Sequence, residues 1–373
     1  MRRHHILFLA ILCAAGACCL TAQEKAPGAI GPPVEIPGTQ RLTLHSAIAG
    51  ADYALDVNLP RHYGDSAGSF PVLFLLDGQW DFPLVSAMYG EQYYDGFVPE
   101  IVIVGISRAG AGLNHDSLRV SDLTPTRVAS MPQSGNAPLF LRCIKEEIIP
   151  FVQSRFRVLP GDRALMGTSL GGLFTLYAMF HETPLFAKYI LTSPAAGWDN
   201  GVLFSYEKEY AESHARLPVK LYMARAELEG PMTEYERFLA ALTARHYAGL
   251  ELATSVVEGM GHSGGKAVGF ARGLQAVYAR PVVALGRSRL DALTGTYRLS
   301  PQAAASVIRE GDHLVLVAPD STRFPLLASS ERDFFVKGFY FFLTFHTDAA
   351  GNATGARVET FGGAFDVTRE ASR

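Results

Sequence analysis

Two stretches of the chain set a serine between glycines two residues away on either side: Gly167-Thr168-Ser169-Leu170-Gly171 and Gly261-His262-Ser263-Gly264-Gly265. This spacing suits a sharp strand-to-helix turn that lifts the serine hydroxyl clear of the backbone, where a nearby base can take its proton and make it a nucleophile. A chain with 36 glycines in 373 residues meets the pattern by chance roughly 0.2 times, so context must choose between the two. Ser169 follows the apolar run Ala164-Leu165-Met166 and precedes a helical pattern over 170–180, so strand, turn and helix are all present. Ser263 lies late, in a loop, and a triad built on it would need both its acid and its histidine from the C-terminal β region. Ser169 is the candidate nucleophile.

A serine nucleophile needs an imidazole to accept its proton and a carboxylate to orient that imidazole. In the chain order serine, acid, histidine, the histidine comes after the last strands. His246 falls in a helical pattern with Leu239 and Leu242. His262 follows a strand-like run through Glu258-Gly259-Met260-Gly261, a glycine-flanked loop suited to presenting a ring, and is the candidate base. The acid is expected after the run 219–223, where Ala224-Arg225-Ala226-Glu227-Leu228-Glu229-Gly230 supplies two carboxylates. Glu229 is preferred, Glu227 is its rival, and Asp199 is a weaker candidate. The developing oxyanion needs two backbone N–H groups. Leu170, next to the nucleophile, offers one. Gln79, in the loop Asp77-Gly78-Gln79-Trp80 after an early strand, offers the other.

The elements that must position these groups are legible as alternation. Short β-rich runs lie at 72–76, 101–106, 163–166, 188–192, 219–223 and 252–257, and several are apolar nearly throughout, as strands covered on both faces should be. Between them the spacing predicts helices over 138–155, 170–180, 233–247 and 266–278. The fold class is therefore α/β, a mostly parallel central sheet with helices on both faces. Near residue 286 the pattern changes. Segments 295–299, 313–318, 333–336, 340–347 and 356–360 are β-like and separated by turn signals, which predicts a small antiparallel all-β domain with Phe334, Phe335, Phe341, Phe342 and Phe345 in its core.

The composition bounds what surrounds this chemistry. Of the 373 residues 48% are hydrophobic and 18% charged, with a net charge of −3, so a basic nucleic-acid footprint is excluded and a small-molecule partner is expected. Residues 1–22 read as a secretory signal: Arg2, Arg3, His4 and His5, then an apolar run over 6–20 that is shorter than the ~20 residues a membrane span requires. Export to the periplasm or the medium follows. A lipid anchor at Cys18 is the alternative, since Ala15-Gly16-Ala17-Cys18 resembles a lipoprotein box without its usual leading leucine. Three of the four cysteines lie in this segment, leaving Cys143 as a small buried apolar residue with no disulfide partner. Residues 23–38 read as a Pro/Gly-rich linker, 39–285 as the α/β domain and 290–373 as the small β domain. No cofactor is implied, and no clustered spacing of metal ligands is seen.

Taken together, Leu75-Leu76-Asp77-Gly78, Arg119-Val120-Ser121-Asp122-Leu123-Thr124-Pro125, Glu147-Ile148-Ile149-Pro150, the segment 166–172, Ser193-Pro194, Trp198-Asp199 and Gly261-His262 resemble the putative-esterase family of α/β-hydrolases, over about residues 41–278. That family includes esterase D, feruloyl esterases, enterobactin-type siderophore esterases and mycolyltransferases. The resemblance implies Ser169 as nucleophile, His262 as base, an acid near Glu229 and oxyanion donors at Leu170 and Gln79. It departs from the family pattern at Ala226, where a glycine is expected. The reading is a serine carboxylic-ester hydrolase working through an acyl-enzyme, on an aromatic, siderophore-type or carbohydrate-linked ester. Trp80 and Trp198 are candidate substrate-stacking residues, with Tyr89, Tyr93 and Tyr94 nearby in sequence. Arg108, with Arg119 and Arg127, is a candidate for meeting an anionic substrate. An acyltransferase with the same triad and a non-catalytic glycan- or partner-binding protein on the same fold are the alternatives.

Overall fold

The computed structural model describes residues 35–65, 67–230 and 232–371; the expected leader at 1–22 and most of the expected linker at 23–38 lie outside the described residues. In chain order the first part comprises β1 (Thr39–Ser46), β2 (Ala51–Asn58), β3 (Phe70–Leu75), α1 (Gly78–Tyr94), β4 (Val102–Arg108), α2 (His115–Leu123), α3 (Ala137–Cys143), α4 (Ile149–Arg155), β5 (Val158–Thr168), α5 (Leu170–His181), β6 (Lys188–Thr192), α6 (Trp198–Ser213), β7 (Lys220–Ala226), α7 (Thr233–Ala244), β8 (Glu251–Val257) and α8 (Gly265–Val277). The strands form one sheet in the order β1-β2-β4-β3-β5-β6-β7-β8. From β4 to β8 neighbours pair in parallel, while β1 and β2 add an antiparallel edge.

The nearly continuous apolar runs divide by parity. Val72, Phe74 and Leu76 face one core with Val104, Leu165, Leu173, Phe174 and Ile144. Leu73 and Leu75 face the other with Ile103, Met166, Ile190, Phe270 and Leu274. Successive side chains point to opposite faces, so a strand covered on both sides must be apolar at every position. The segment 137–155 is helical as its spacing predicts, with a π turn at Ile144–Ile148 separating α3 from α4. Pro150 explains it: the ring has no N–H to donate and crowds the carbonyl four residues back, so the backbone widens just before it. Cys143 is fully buried and free, and burial pushes its thiol up to about 12, so it stays protonated and inert.

The second part begins with α9 (Arg287–Leu293), followed by β9 (Gly295–Ser300), β10 (Ala303–Glu310), β11 (His313–Val317), β12 (Arg323–Ala328), β13 (Asp333–Phe335), β14 (Phe341–Thr347), β15 (Ala353–Thr360) and β16 (Gly363–Arg369). Every pairing is antiparallel, and β16 returns to β9 through Thr368↔Arg298 and Arg369↔Tyr297, which closes the sheet into an eight-stranded barrel. Residues of one parity fill the interior, and Leu290 and Leu293 of α9 join its core. Of the aromatics expected there, Phe334 and Phe345 are interior, whereas Phe335 and Phe342 turn outward toward the α/β part.

That contact takes in Tyr93 and Tyr94. Tyr89 and Tyr93 are buried in the core rather than lining a site, and Tyr93 stacks on Phe342 with centroids 5.3 Å apart. Tyr94 meets Tyr340 edge-on at 4.7 Å. The Arg280 guanidinium lies over Tyr93, Phe335 and Phe342 and donates to the Val98 carbonyl. Among the described residues no helix is long and apolar enough to cross a membrane.

Candidate active site at the carboxyl ends of five parallel strands

Five neighbouring strands, β3, β5, β6, β7 and β8, end on the same edge of the sheet, and each is followed by a residue of interest. The crevice outside the carboxyl ends of such strands is where open α/β sheets gather their functional groups. Three non-glycine residues there have left-handed φ values: Asp77 after β3 (54°), Ser169 after β5 (56°) and Ser193 after β6 (43°). A side chain in that region is strained and persists only where its surroundings over-determine it.

Ser169 has φ 56° and ψ −115° at the junction of β5 and α5. Its N–H donates to the Thr192 carbonyl at 3.1 Å, and its own carbonyl accepts from Leu173 at 3.0 Å and Ala195 at 3.0 Å. The motif's first glycine is required by close approach, because a Cβ on Gly167 would lie 2.5 Å from the Gly171 carbonyl carbon. Leu170 opens α5, so its N–H has no acceptor within the helix. Gln79 is equivalent at the start of α1, where the N–H groups of Trp80 and Asp81 already take the Asp77 carbonyl. Asp77 is itself buried and held by a two-point ion pair from Arg119 Nε and Nη2 at 2.9 and 2.8 Å.

The two candidate glutamates do different work. Glu229 Oε1 is paired with His262 Nδ1. Its Oε2 accepts from Ser193 Oγ at 2.6 Å and from the Ala226 N–H at 2.9 Å. Burial pushes the Glu229 carboxyl up, but the hydrogen bonds from Ser193, His262 and Ala226 outweigh it and hold the carboxyl below its ordinary range. Glu227 instead accepts from the Gly259 N–H at 2.8 Å, tethering the loop that carries the histidine. The methyl group of Ala226, where a glycine was expected, is accommodated by its neighbour: a Cβ on Gly265 would come within 2.7 Å of it. His262 keeps half of its side chain exposed, while Glu229 keeps a tenth. With Nδ1 turned to Glu229, Nε2 is the ring nitrogen left for a substrate or a hydroxyl. The Ser169 hydroxyl and the His262 ring are not hydrogen-bonded to one another in this structure; contacts of this type commonly tighten only when substrate binds.

The other sequence candidates divide. Trp80 is 45% exposed, with the Arg119 guanidinium 5.8 Å from its ring and His115 edge-on to it at 6.3 Å. Trp198 is half-buried and donates to Thr126 Oγ1 at 3.1 Å. Arg108 does not fit its expected role: both arms of its guanidinium are committed to Asp122 at 2.7 Å, with the Tyr53 ring stacked at 4.6 Å, so it ties β4 to α2. Arg119 is likewise engaged, by Asp77, and Arg127 is exposed. His246 lies just beyond α7, exposed, with φ 52°. Asp199 begins a left-handed run with Asn200 and Gly201 at the head of α6.

Ser193, Asp81 and Lys266 were given no role from sequence. Ser193-Pro194 after a strand signals a turn but not a hydroxyl aimed at a carboxylate. Asp81 is buried on α1, and its Oδ1 accepts from Lys266 Nζ at 2.7 Å. This ion pair joins the helix carrying Gln79 to the helix that follows His262. Burial raises the Asp81 carboxyl, Lys266 opposes the rise, and Oδ2 has no hydrogen-bond partner.

A family model described as Putative esterase matches residues 46–240, and one described as a domain of unknown function (DUF3471) matches residues 279–371. Among curated proteins, the siderophore triacetylfusarinine C esterase of Aspergillus fumigatus is 30% identical over 187 residues, 48% of this chain and 64% of that protein. The ferri-bacillibactin esterase BesA of Bacillus subtilis is 27% identical over 209 residues, 52% of this chain and 72% of that one. The chain thus spans a little under two thirds of the Aspergillus protein's length. Among solved structures, the siderophore hydrolase EstB from Aspergillus nidulans superposes with a TM-score of 0.60 at 22% identity, covering 67% of this chain and 98% of that one, a likeness of fold.

Proposed function

The chain belongs to the putative esterase family, and from that premise we propose that it is a serine hydrolase of carboxylic esters built on Ser169, His262 and Glu229. Ser169 Oγ attacks the ester carbonyl while His262 Nε2 takes its proton. Glu229 accepts the Nδ1–H, fixes the tautomer and stabilises the imidazolium that forms. The N–H groups of Leu170 and Gln79 receive the tetrahedral oxyanion. The alcohol leaves with the proton from His262, and a water activated by the same ring releases the acid from the acyl-enzyme.

The observation that carries this reading is the His262–Glu229 pair, anchored through Ser193 to the strand adjoining the strained Ser169 turn. The test is a fluorophosphonate probe with an ester panel of acetyl, feruloyl, long-chain and siderophore-type substrates. Ser169 is expected to be the labelled residue, and labelling should abolish turnover. An unlabelled Ser169 in folded protein would overturn the assignment. The relatives named as siderophore esterases make a siderophore-type ester the first substrate class to try, and Trp80 and Trp198 can stack on an aromatic group where the substrate carries one. Export rests on the N-terminal pattern alone, and sequencing the mature N-terminus after expression tests it.

A further inference from the structure

The barrel is packed at one end and hollow at the other. Around α9 its interior is filled by Leu290, Leu293, Phe334 and Phe345. Toward the opposite end a cavity of about 240 Å³ remains, with small Ala305, Ala318 and Pro319 in its wall. The lining is apolar apart from Tyr297 and Thr360, and the Tyr297 hydroxyl is already bonded to the Leu293 carbonyl at 2.6 Å. The rim is apolar and open to solvent: Phe339 is 47% exposed and Phe361 72%. An eight-stranded barrel is the size at which side chains either fill the interior or leave room for one small ligand. Here a single barrel does both, one at each end.

We propose that the hollow end is a binding site for the uncharged apolar part of a small molecule. A wall that is apolar apart from two hydroxyl-bearing residues, and that holds no charged side chain, excludes a charged group from the interior, since a buried ion needs a partner. A dry cavity of roughly 150 Å³ accepts benzene, so by volume 240 Å³ takes a chain or ring system of about nine or ten carbons. The site is separate from Ser169. α1 begins beside Gln79 and ends at Tyr94, whose ring packs 5.9 Å from that of Phe361 at the rim. Its 17 residues span about 25 Å.

The test titrates the full chain by calorimetry with n-alkanols from butanol to tetradecanol. Saturable one-to-one binding is expected, with affinity rising about fourfold per methylene and levelling near nine or ten carbons. Ala305→Leu and Ala318→Leu fill the wall, and each should weaken nonanol binding at least tenfold while retaining the wild-type circular dichroism spectrum; should one variant misfold, the other decides. Hydrolysis of p-nitrophenyl acetate should be unchanged in both, which separates this site from the proposed catalytic one. Phosphatidylcholine vesicles form the second arm, since an alkyl chain also comes from lipid. Absence of saturable alkanol binding, indifference to both substitutions, or affinity that climbs through tetradecanol together with vesicle co-sedimentation would overturn the proposal.

Discussion

The carboxyl edge of the parallel sheet and the hollow end of the barrel are built on opposite principles. The first concentrates strain and buried charge: Asp77, Ser169 and Ser193 hold left-handed backbone there, and Asp77–Arg119, Asp81–Lys266 and Glu229–His262 are paired around them. The barrel has one non-glycine residue of positive φ among the described residues, Ser321, and its interior is regular and apolar. Strain and paired charge fix a few atoms in one arrangement, which acyl chemistry requires. A smooth apolar void fixes nothing and is selective only by size.

Removing the proposed attacking atom is the most direct way to break this contrast. Ser169→Ala should reduce ester hydrolysis by about 10⁴-fold or more with no loss in melting temperature, read by initial rates and thermal scans. Near wild-type turnover would reduce the strained edge to mere architecture. The two glutamates come next. Glu229→Gln should lower kcat by about 10²- to 10⁴-fold, whereas Glu227→Gln, which loosens only the Gly259 tether, should cost about tenfold or less; the reverse order would exchange their roles. Because the Glu229 carboxyl lies below its ordinary range, the stability it contributes is present at neutral pH and is lost as pH falls through that lowered value. The Tm difference between wild type and Glu229→Gln should therefore shrink in acid.

Lys266→Met probes buried charge without touching a reacting atom. It strands the Asp81 carboxylate, at about 3 kcal/mol of stability at neutral pH. Asp81 is already raised by burial and would rise further without its lysine. A raised carboxyl opposes folding as pH climbs through its folded value, so the deficit in denaturant midpoint should narrow on acidification. A pH-independent deficit would mean that the pair acts through packing alone. The smallest effect belongs to the barrel: Ala305→Leu should raise stability by about 1 kcal/mol. Destabilisation there would show the cavity wall to be less yielding than its small residues imply.

Much of the fold was legible because its signals are short-range. Residues 170–180 and 266–278 are helical near their expected bounds, and the expected parallel strands all appear. Strands β1, β10, β12 and β16 went unread because their half-exposed positions mix polar and apolar residues without a clean period; β2 went unread although it is mostly buried, because Asp52, Asp56 and Asn58 interrupt its apolar run. The tyrosines of α1 look alike as stacking platforms or as core. The barrel packed against Tyr93 and Tyr94 decides it for those two, while Tyr89 is buried within the α/β part, where its hydroxyl accepts from the Ile101 N–H. Arg108 reads as a free cation until Asp122, fourteen residues away, closes on it.

The sequence by itself determined the Ser169 turn and the α/β alternation, because a turn's glycines and a strand's apolar run act on contiguous residues. It also placed His262 after β8 and two acidic residues after β7. Which acid meets the imidazole was decided by the Glu227–Glu229 turn together with Ser193, brought in from the neighbouring strand. The cavity was decided by the closure of β16 onto β9 and by side-chain volumes that meet only across the closed barrel. Such contacts depend on where distant segments come to rest, and no local pattern records that position.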